Sequence, residues 1–251
     1  MLKRWLPALF AGGFALAACA ADGGDSAAVA AVRKAVQGLG PGVQVDAVTP
    51  SPLPGFYQVI ASGHLVYVSA DGKYMLNGDL VDLASRRNVS QDAWAAFRKA
   101  ELAKLPPGQG IVFAPPNPKY KITVFTDVNC AYCRAFHAHI AEINKEGIAV
   151  EYLAWPREGL TTTSGRDTPT YTEMVSVWCA ADRKAAFTAA KQGQAPKPAS
   201  CASPVKDQFN LGVRLGVDGT PTVIAPDGRV LGGFVPPDKL LRLLQDPSAG
   251  G

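Results

Sequence analysis

The chain has 251 residues, 18% of them charged and 47% hydrophobic, with a formal charge of +4. That composition supports a real hydrophobic core and excludes a wholly disordered chain, and the length leaves room for two modest domains. Removing Lys3 and Arg4 with the leader described next takes the charge from +4 to +2, too little to point to a nucleic acid or another polyanionic partner.

Residues 1–20 read as an export signal: basic Lys3 and Arg4, an apolar run from Trp5 to Ala18, then small residues. The run is too short for a comfortable membrane span. Leu16-Ala17-Ala18-Cys19 resembles a bacterial lipobox, which would make Cys19 the lipidated first residue of the mature protein, and Ala20 after it favours the outer membrane. Ala18-Cys19-Ala20 also fits ordinary cleavage after Ala20. Either route removes Cys19 from the free thiols and leaves four cysteines, an even number suited to an oxidising compartment such as the periplasm.

Asp22 to Ser26 is small and polar and reads as a flexible tether. Val29, Val32, Val36 and Leu39 then recur at helical spacing until Gly40-Pro41 stops the pattern. Strand-like runs follow over Val43 to Val48, Phe56 to Ala61, His64 to Ser69 and Lys73 to Asn77, with Ser62-Gly63 and Asp71-Gly72 as hairpin signals. One helix and a meander of strands cannot bury both sheet faces in so few residues. Residues 26–88 are therefore expected to form a domain with an open edge or face suited to pairing with a second copy. Asp82 to Asn88 reads as loop. Gln91 to Leu105 has helical composition, with Ser90 as the candidate N-cap, and Pro106, Pro107 and Gly108 end it. Residues 89–118, closing on the proline-rich Ala114 to Pro118, read as a linker between two domains; the alternative is a helix packed on the second domain.

The second domain is expected over 119–247. A β-branched and aromatic run from Ile122 to Phe125 leads through polar residues to Cys130-Ala131-Tyr132-Cys133, which opens a helix that Gly147 stops. Ile148 to Ala154 reads as a buried strand and Trp155 to Leu160 as a loop. Helical patterns occupy Thr168 to Ala181 and Arg183 to Lys191. A proline-rich loop bearing Cys201, a helix from Pro204 to Leu215, a strand from Thr222 to Ala225, a turn over Pro226 to Arg229, a strand around Val230 to Gly232 and a helix from Pro237 to Leu244 complete the order.

The thiol pair carries the chemistry. Only a thiolate attacks a disulfide, and a sulfur at a helix N-terminus faces unpaired backbone N–H groups and the positive end of the helix dipole. Cys130 is expected to be the more acidic and more exposed thiol, and Cys133, one turn further in, can close a disulfide with it. Two cysteines at this spacing also suit zinc or a structural disulfide. His137 and His139 are the nearby ligand types, but they project from different faces of the helix, so each reads as a surface or packing residue and no metal is expected.

Strand, helix, strand, helical insertion, hairpin and helix is the order of a thioredoxin fold. FTDVNCAYC, YLAWPREGL, Trp178-Cys179-Ala180, Ala199-Ser200-Cys201, LGVRLGVDGTPTVI and GGFVPP together resemble the periplasmic thiol:disulfide interchange proteins of the DsbC/DsbG family. The resemblance implies an α+β and α/β chain: a cystatin-like N-terminal dimerisation domain, a linker helix and a thioredoxin-like domain with a helical insertion. It implies Cys130 as nucleophile, Cys133 as resolving thiol, and Thr220-Pro221, with a cis peptide bond, bordering a substrate groove beside Tyr132. Ala131 departs from the glycine or proline expected between such cysteines, and Val124 stands where thioredoxins carry a buried acid, leaving Asp127 as a turn residue. Cys179 and Cys201 read as a structural disulfide; a second redox pair is disfavoured because neither has a CxxC partner. Trp178 reads as core. The implied activity is isomerisation of non-native disulfides in exported proteins by a homodimer without a cofactor, kept reduced by a membrane thiol reductase of the DsbD type. The alternatives are reduction of oxidised single cysteines, as in DsbG, and a redox-independent chaperone.

Overall fold

The computed structural model describes residues 22–246, so the export signal, the lipobox residues and Cys19 lie outside the described residues. Helix α1 spans Asp22–Gln37. Residues 22–26 are thus its first turns and not the expected tether: each residue added to an anchored helix gains a backbone hydrogen bond without repeating nucleation. Val32 and Val36 anchor α1 on Val45, Tyr57, Val59, Ala61, Val66 and Val68.

Those partners belong to an antiparallel sheet in chain order, β1 (Val45–Pro50), β2 (Phe56–Ala61), β3 (His64–Ser69) and β4 (Met75–Leu76). Strand β4 is shorter than the expected 73–77 run. Asp71 accepts from the Lys73 N–H at 3.1 Å and Ser69 Oγ from the Tyr74 N–H at 3.0 Å, so the turn holds amides that a longer ladder would use. The expected loop at 82–88 contains a small hairpin, β5 (Val81–Asp82) with β6 (Arg87–Asn88).

Helix α2 runs over Val89–Leu102, and its N-cap is Asn88, whose side-chain oxygen accepts from the Gln91 N–H at 3.2 Å. Ser90, the expected cap, is buried at the second position of the helix, with its hydroxyl 2.6 Å from Tyr67 Oη and accepting from the Leu80 N–H at 2.8 Å. Tertiary partners took its hydroxyl away from the helix end. Ala93, Trp94 and Phe97 of α2 pack against Ile60, Leu65 and Tyr67 of the first domain. Phe97 and Leu102, with Leu105 beyond them, pack against Leu211, Leu215 and Ile224 of the second. The helix is therefore a wedge held on both sides. Arg98 lies over Trp94 and donates through Nε to the Leu215 carbonyl at 2.9 Å, and Arg214 pairs with Asp46 at 2.8 Å and with Glu101.

The second sheet has the order β11-β10-β8-β9-β7, with β8 (Tyr120–Thr126) and β9 (Ile148–Ala154) parallel and the other neighbours antiparallel. Its edge strand β7 (Ile111–Phe113) precedes the expected boundary near Lys119; β10 is Thr222–Ile224 and β11 Val230–Gly232. Alternation along β8 sends Ile122 and Val124 to one core and Phe125 to the other, so both faces are covered. The insertion after β9 supplies α5 (Pro169–Trp178), α6 (Arg183–Lys191) and α7 (Val205–Arg214), and α8 (Pro237–Gln245) closes the domain. Trp178 is fully buried in the larger core.

A disulfide joins Cys179, at the end of α5, to Cys201, 22 residues on. By the chain-entropy argument, replacing both cysteines with serine is expected to cost about 3 kcal/mol. Urea unfolding monitored by tryptophan fluorescence measures this; an unchanged midpoint would show that the cross-link does not constrain the unfolded chain.

Candidate active site

Strand β8 ends at Thr126, and the chain turns through Asp127. One Asp127 oxygen accepts from the Asn129 N–H at 2.6 Å and the other from the Arg157 N–H at 2.8 Å, so this carboxylate ties the turn to the loop after β9. The turn delivers Cys130 to the N-cap of α3 (Ala131–Ala138), where its sulfur accepts from the Cys133 N–H at 3.4 Å. Ala131 and Tyr132 are the exposed part of the motif, and Tyr132 is 68% exposed.

Both cysteines are free thiols and both are buried, each 1% exposed, which corrects the expectation that Cys130 is the more exposed of the two. The cover comes from 90 residues away: the Thr220-Pro221 loop, with its cis peptide bond, lies over the sulfur, and the Cys130 thiol donates to the Thr220 carbonyl at 3.2 Å. With the proton there, Thr220 Oγ1 is buried without a partner. Ionisation of Cys130 removes the donor to the carbonyl and leaves the Thr220 hydroxyl as a donor to the thiolate.

The two thiols differ in acidity. Burial pushes Cys130 up, but hydrogen bonds from the Thr220 hydroxyl, the Cys133 thiol and the Cys133 and Tyr132 amides outweigh it and set its pKa below the ordinary thiol value. Burial dominates at Cys133 and raises its pKa, although the Lys191 charge, the Thr126 hydroxyl and the Asp127 amide oppose it.

His137 is a packing residue, with Nδ1 3.1 Å from Tyr152 Oη and Nε2 3.0 Å from Thr188 Oγ1. Burial, then the nearby Lys191 charge, lowers its pKa to about 4, so the ring is neutral at pH 7. His139 is half exposed and faces Glu142 at 3.1 Å. Lys191 lies close behind the thiols and carried no signal in the sequence: a lysine in the last turn of a helix reads as a solvated partner of the helix dipole.

Comparison with known proteins agrees with this architecture. Residues 20–91 match the family model described as Disulfide bond isomerase protein N-terminal domain, and residues 109–247 match Thioredoxin-like domain. The chain is 35% identical over 231 residues to the thiol:disulfide interchange protein DsbC of Dickeya dadantii, covering 92% of each chain. It is 33% identical over 205 residues to the protein of that name from Escherichia coli K12, covering 82% of this chain and 83% of the relative. Among solved structures, a linker-deletion variant of Proteus mirabilis ScsC superposes with a TM-score of 0.51 at 19% identity, covering 66% of this chain and 90% of that one, a likeness of fold. With family models spanning both domains and curated relatives above 30% identity over most of their length, the chain belongs to the DsbC family of thiol:disulfide interchange proteins.

Proposed function

We propose that this chain is an exported disulfide isomerase in which Cys130 is the nucleophile and Cys133 the resolving thiol. The observation that carries the assignment is the placement of the more acidic sulfur at the N-cap of α3, with the Thr220 carbonyl 3.2 Å away and the less acidic thiol one turn behind. The Cys130 thiolate attacks one sulfur of a non-native disulfide. A Cys130–substrate bond forms, the original S–S bond breaks, and the displaced substrate thiolate is free to attack elsewhere. Attack on the mixed disulfide by a substrate thiol completes isomerisation and regenerates Cys130. Attack by Cys133 releases a reduced substrate and leaves a Cys130–Cys133 disulfide, which a membrane thiol reductase of the DsbD type returns to the dithiol.

Thr220 and Pro221 border the groove for an extended substrate segment, and exposed Tyr132 offers an aromatic contact beside it. Burial of Cys130 beneath this loop means that a substrate segment displaces or enters the cover before attack. Residues 26–88 act as the dimerisation domain, α2 as the linker helix, and 119–247, together with the edge strand β7 that precedes them, as the catalytic domain. Exposed Tyr74, Met75, Leu76, Val81 and Leu83 in the first domain support pairing with a second copy, because so many apolar side chains near a short edge strand are costly in water. The working location is the periplasm, with Cys19 as lipid tether to the outer membrane; no helix among the described residues is long and apolar enough to cross a membrane.

Cys133→Ser tests the assignment of the two thiols. Incubated with a scrambled multi-disulfide protein, this variant is expected to accumulate covalent adducts on Cys130 that wild type resolves. Peptide mapping under non-reducing conditions locates the linkage, and absence of an adduct would remove Cys130 from its role.

A further inference from the structure

A buried polar cluster adjoins the thiol pair. Lys191, the last residue of α6, is 5% exposed. Its ammonium donates to Thr126 Oγ1 at 2.7 Å and to the Asp127 carbonyl at 2.7 Å, and lies over the Phe187 ring, 4.9 Å from the centroid. These three contacts can occupy its three N–H bonds. Thr126 is fully buried, and its hydroxyl lies near enough to Cys133 to favour that residue's thiolate. Among the described residues Lys191 makes no salt bridge, so the desolvation of its charge is only partly offset, by Asp127 and the two cysteines nearby.

The groups that face it come from several elements. Cys130, Cys133, Arg134 and His137 lie on or at the start of α3, Asp127 at the end of β8, and Tyr152 of β9 stands beyond His137. Burial is the largest influence and lowers the Lys191 pKa to about 8, with Cys133, Asp127 and Cys130 pulling it back up and Arg134 lowering it further. A buried amine that titrates near working pH, one hydroxyl away from a thiol that must lose a proton, is placed to take that proton. Strand β8 itself offers no carboxylate for this purpose at Val124, which is apolar and fully buried.

We propose that Lys191 is a positioning residue that takes up and returns the Cys133 proton through the Thr126 hydroxyl. The proposal rests on the reading of Cys133 as the resolving thiol. With the amine neutral, the Cys133 thiol passes its proton to Thr126 Oγ1 while Thr126 passes its own to Lys191 Nζ. The Cys133 thiolate then attacks Cys130 in the mixed disulfide. The Cys130–Cys133 bond forms, the Cys130–substrate bond breaks, and the substrate thiolate leaves and is protonated by water. The enzyme dithiol has lost two electrons and the substrate disulfide has gained them. When an external dithiol reductase attacks Cys130, Cys133 leaves as thiolate and regains its proton from the Lys191 ammonium by the same path.

The test is a stopped-flow measurement of mixed-disulfide escape against pH, using a small aromatic disulfide as the substrate probe, beside the pH profile of Cys130 alkylation. In wild type, escape is expected to accelerate through an inflection near 8, as the ammonium becomes the accepting amine. Lys191→Met is expected to abolish that inflection and slow escape by about a hundredfold, the lower end for loss of a proton-transfer group, while Cys130 alkylation changes less than about twofold. Thr126→Val, which leaves the lysine in place and removes the bridging hydroxyl, is expected to do the same. A wild-type profile with no inflection in that region overturns the proposal without any variant. So does a folded Lys191→Met or Thr126→Val protein with the wild-type profile, or one that loses both steps to the same extent, as a purely structural residue would. If wild type forms no mixed disulfide at all, it is the assignment of Cys130 and Cys133 that fails.

Discussion

Cys130→Ser is expected to bring refolding of a scrambled multi-disulfide protein down to the uncatalysed rate, a loss of about 10³-fold or more, the order found when a covalent nucleophile is removed. A serine hydroxyl at the α3 N-cap keeps the hydrogen bond from the Cys133 N–H, so the helix end survives and the loss reports chemistry. The remaining thiol is a poor substitute: its pKa is raised, and it sits one turn further along α3 than the sulfur that meets the Thr220 carbonyl. The pH dependence has a definite sign. Cys130 is lowered relative to a free thiol, so wild-type alkylation by iodoacetamide is expected to rise through a midpoint below that of an ordinary cysteine and then level off. Cys133 is raised, so any labelling of it begins only at higher pH. Isomerisation retained by Cys130→Ser would sink the isomerase mechanism proposed here; aggregation suppressed by the same variant would reveal a chaperone activity independent of the thiol.

Gly228→Ala is expected to undock α2 from the catalytic domain or to destabilise the protein by about 3 kcal/mol or more, in the range reserved for strain and overpacking at buried positions. Gly228 sits in the turn between β10 and β11 at φ +90°, where a side chain is already disfavoured. A β-carbon there would lie 1.9 Å from the Ala95 carbonyl oxygen and 2.9 Å from the Lys99 nitrogen, both helix backbone that cannot swing aside as a side chain can. The hairpin turn at Gly63 makes a similar approach to the second domain, with a β-carbon placed 2.3 Å from the Val213 carbonyl oxygen. Limited proteolysis across Pro106, Pro107 and Gly108, together with urea unfolding, reads both outcomes. A variant with the wild-type midpoint and the wild-type cleavage rate would show that this close approach does not hold the helix.

Much of this organisation was legible in the chain itself. The strand at 148–154 and the helix at 183–191 lie where the hydrophobic pattern puts them, because such spacing acts over one or two turns; the structure adds Asp182 as the cap of the helix. The same locality made the thiol pair readable as a helix N-terminus, with acidity falling to Cys130. What a local pattern cannot carry is which distant segment covers it. Ser90 reads as a cap until Tyr67 and the Leu80 amide claim its hydroxyl, and Gln91 to Leu105 reads as a connecting helix with no sign that two cores close on opposite sides of it. Cys130 reads as the more exposed thiol until the Thr220 loop lies over it, and nothing along the chain singles out Lys191 until its ammonium meets Thr126 and Asp127. Sequence determined the elements and the chemistry of the motif, since both depend on neighbours along the chain. Burial, and the proton and charge balance it imposes on the two sulfurs, depended on contacts 60 to 90 residues apart, and only the packed structure decided them.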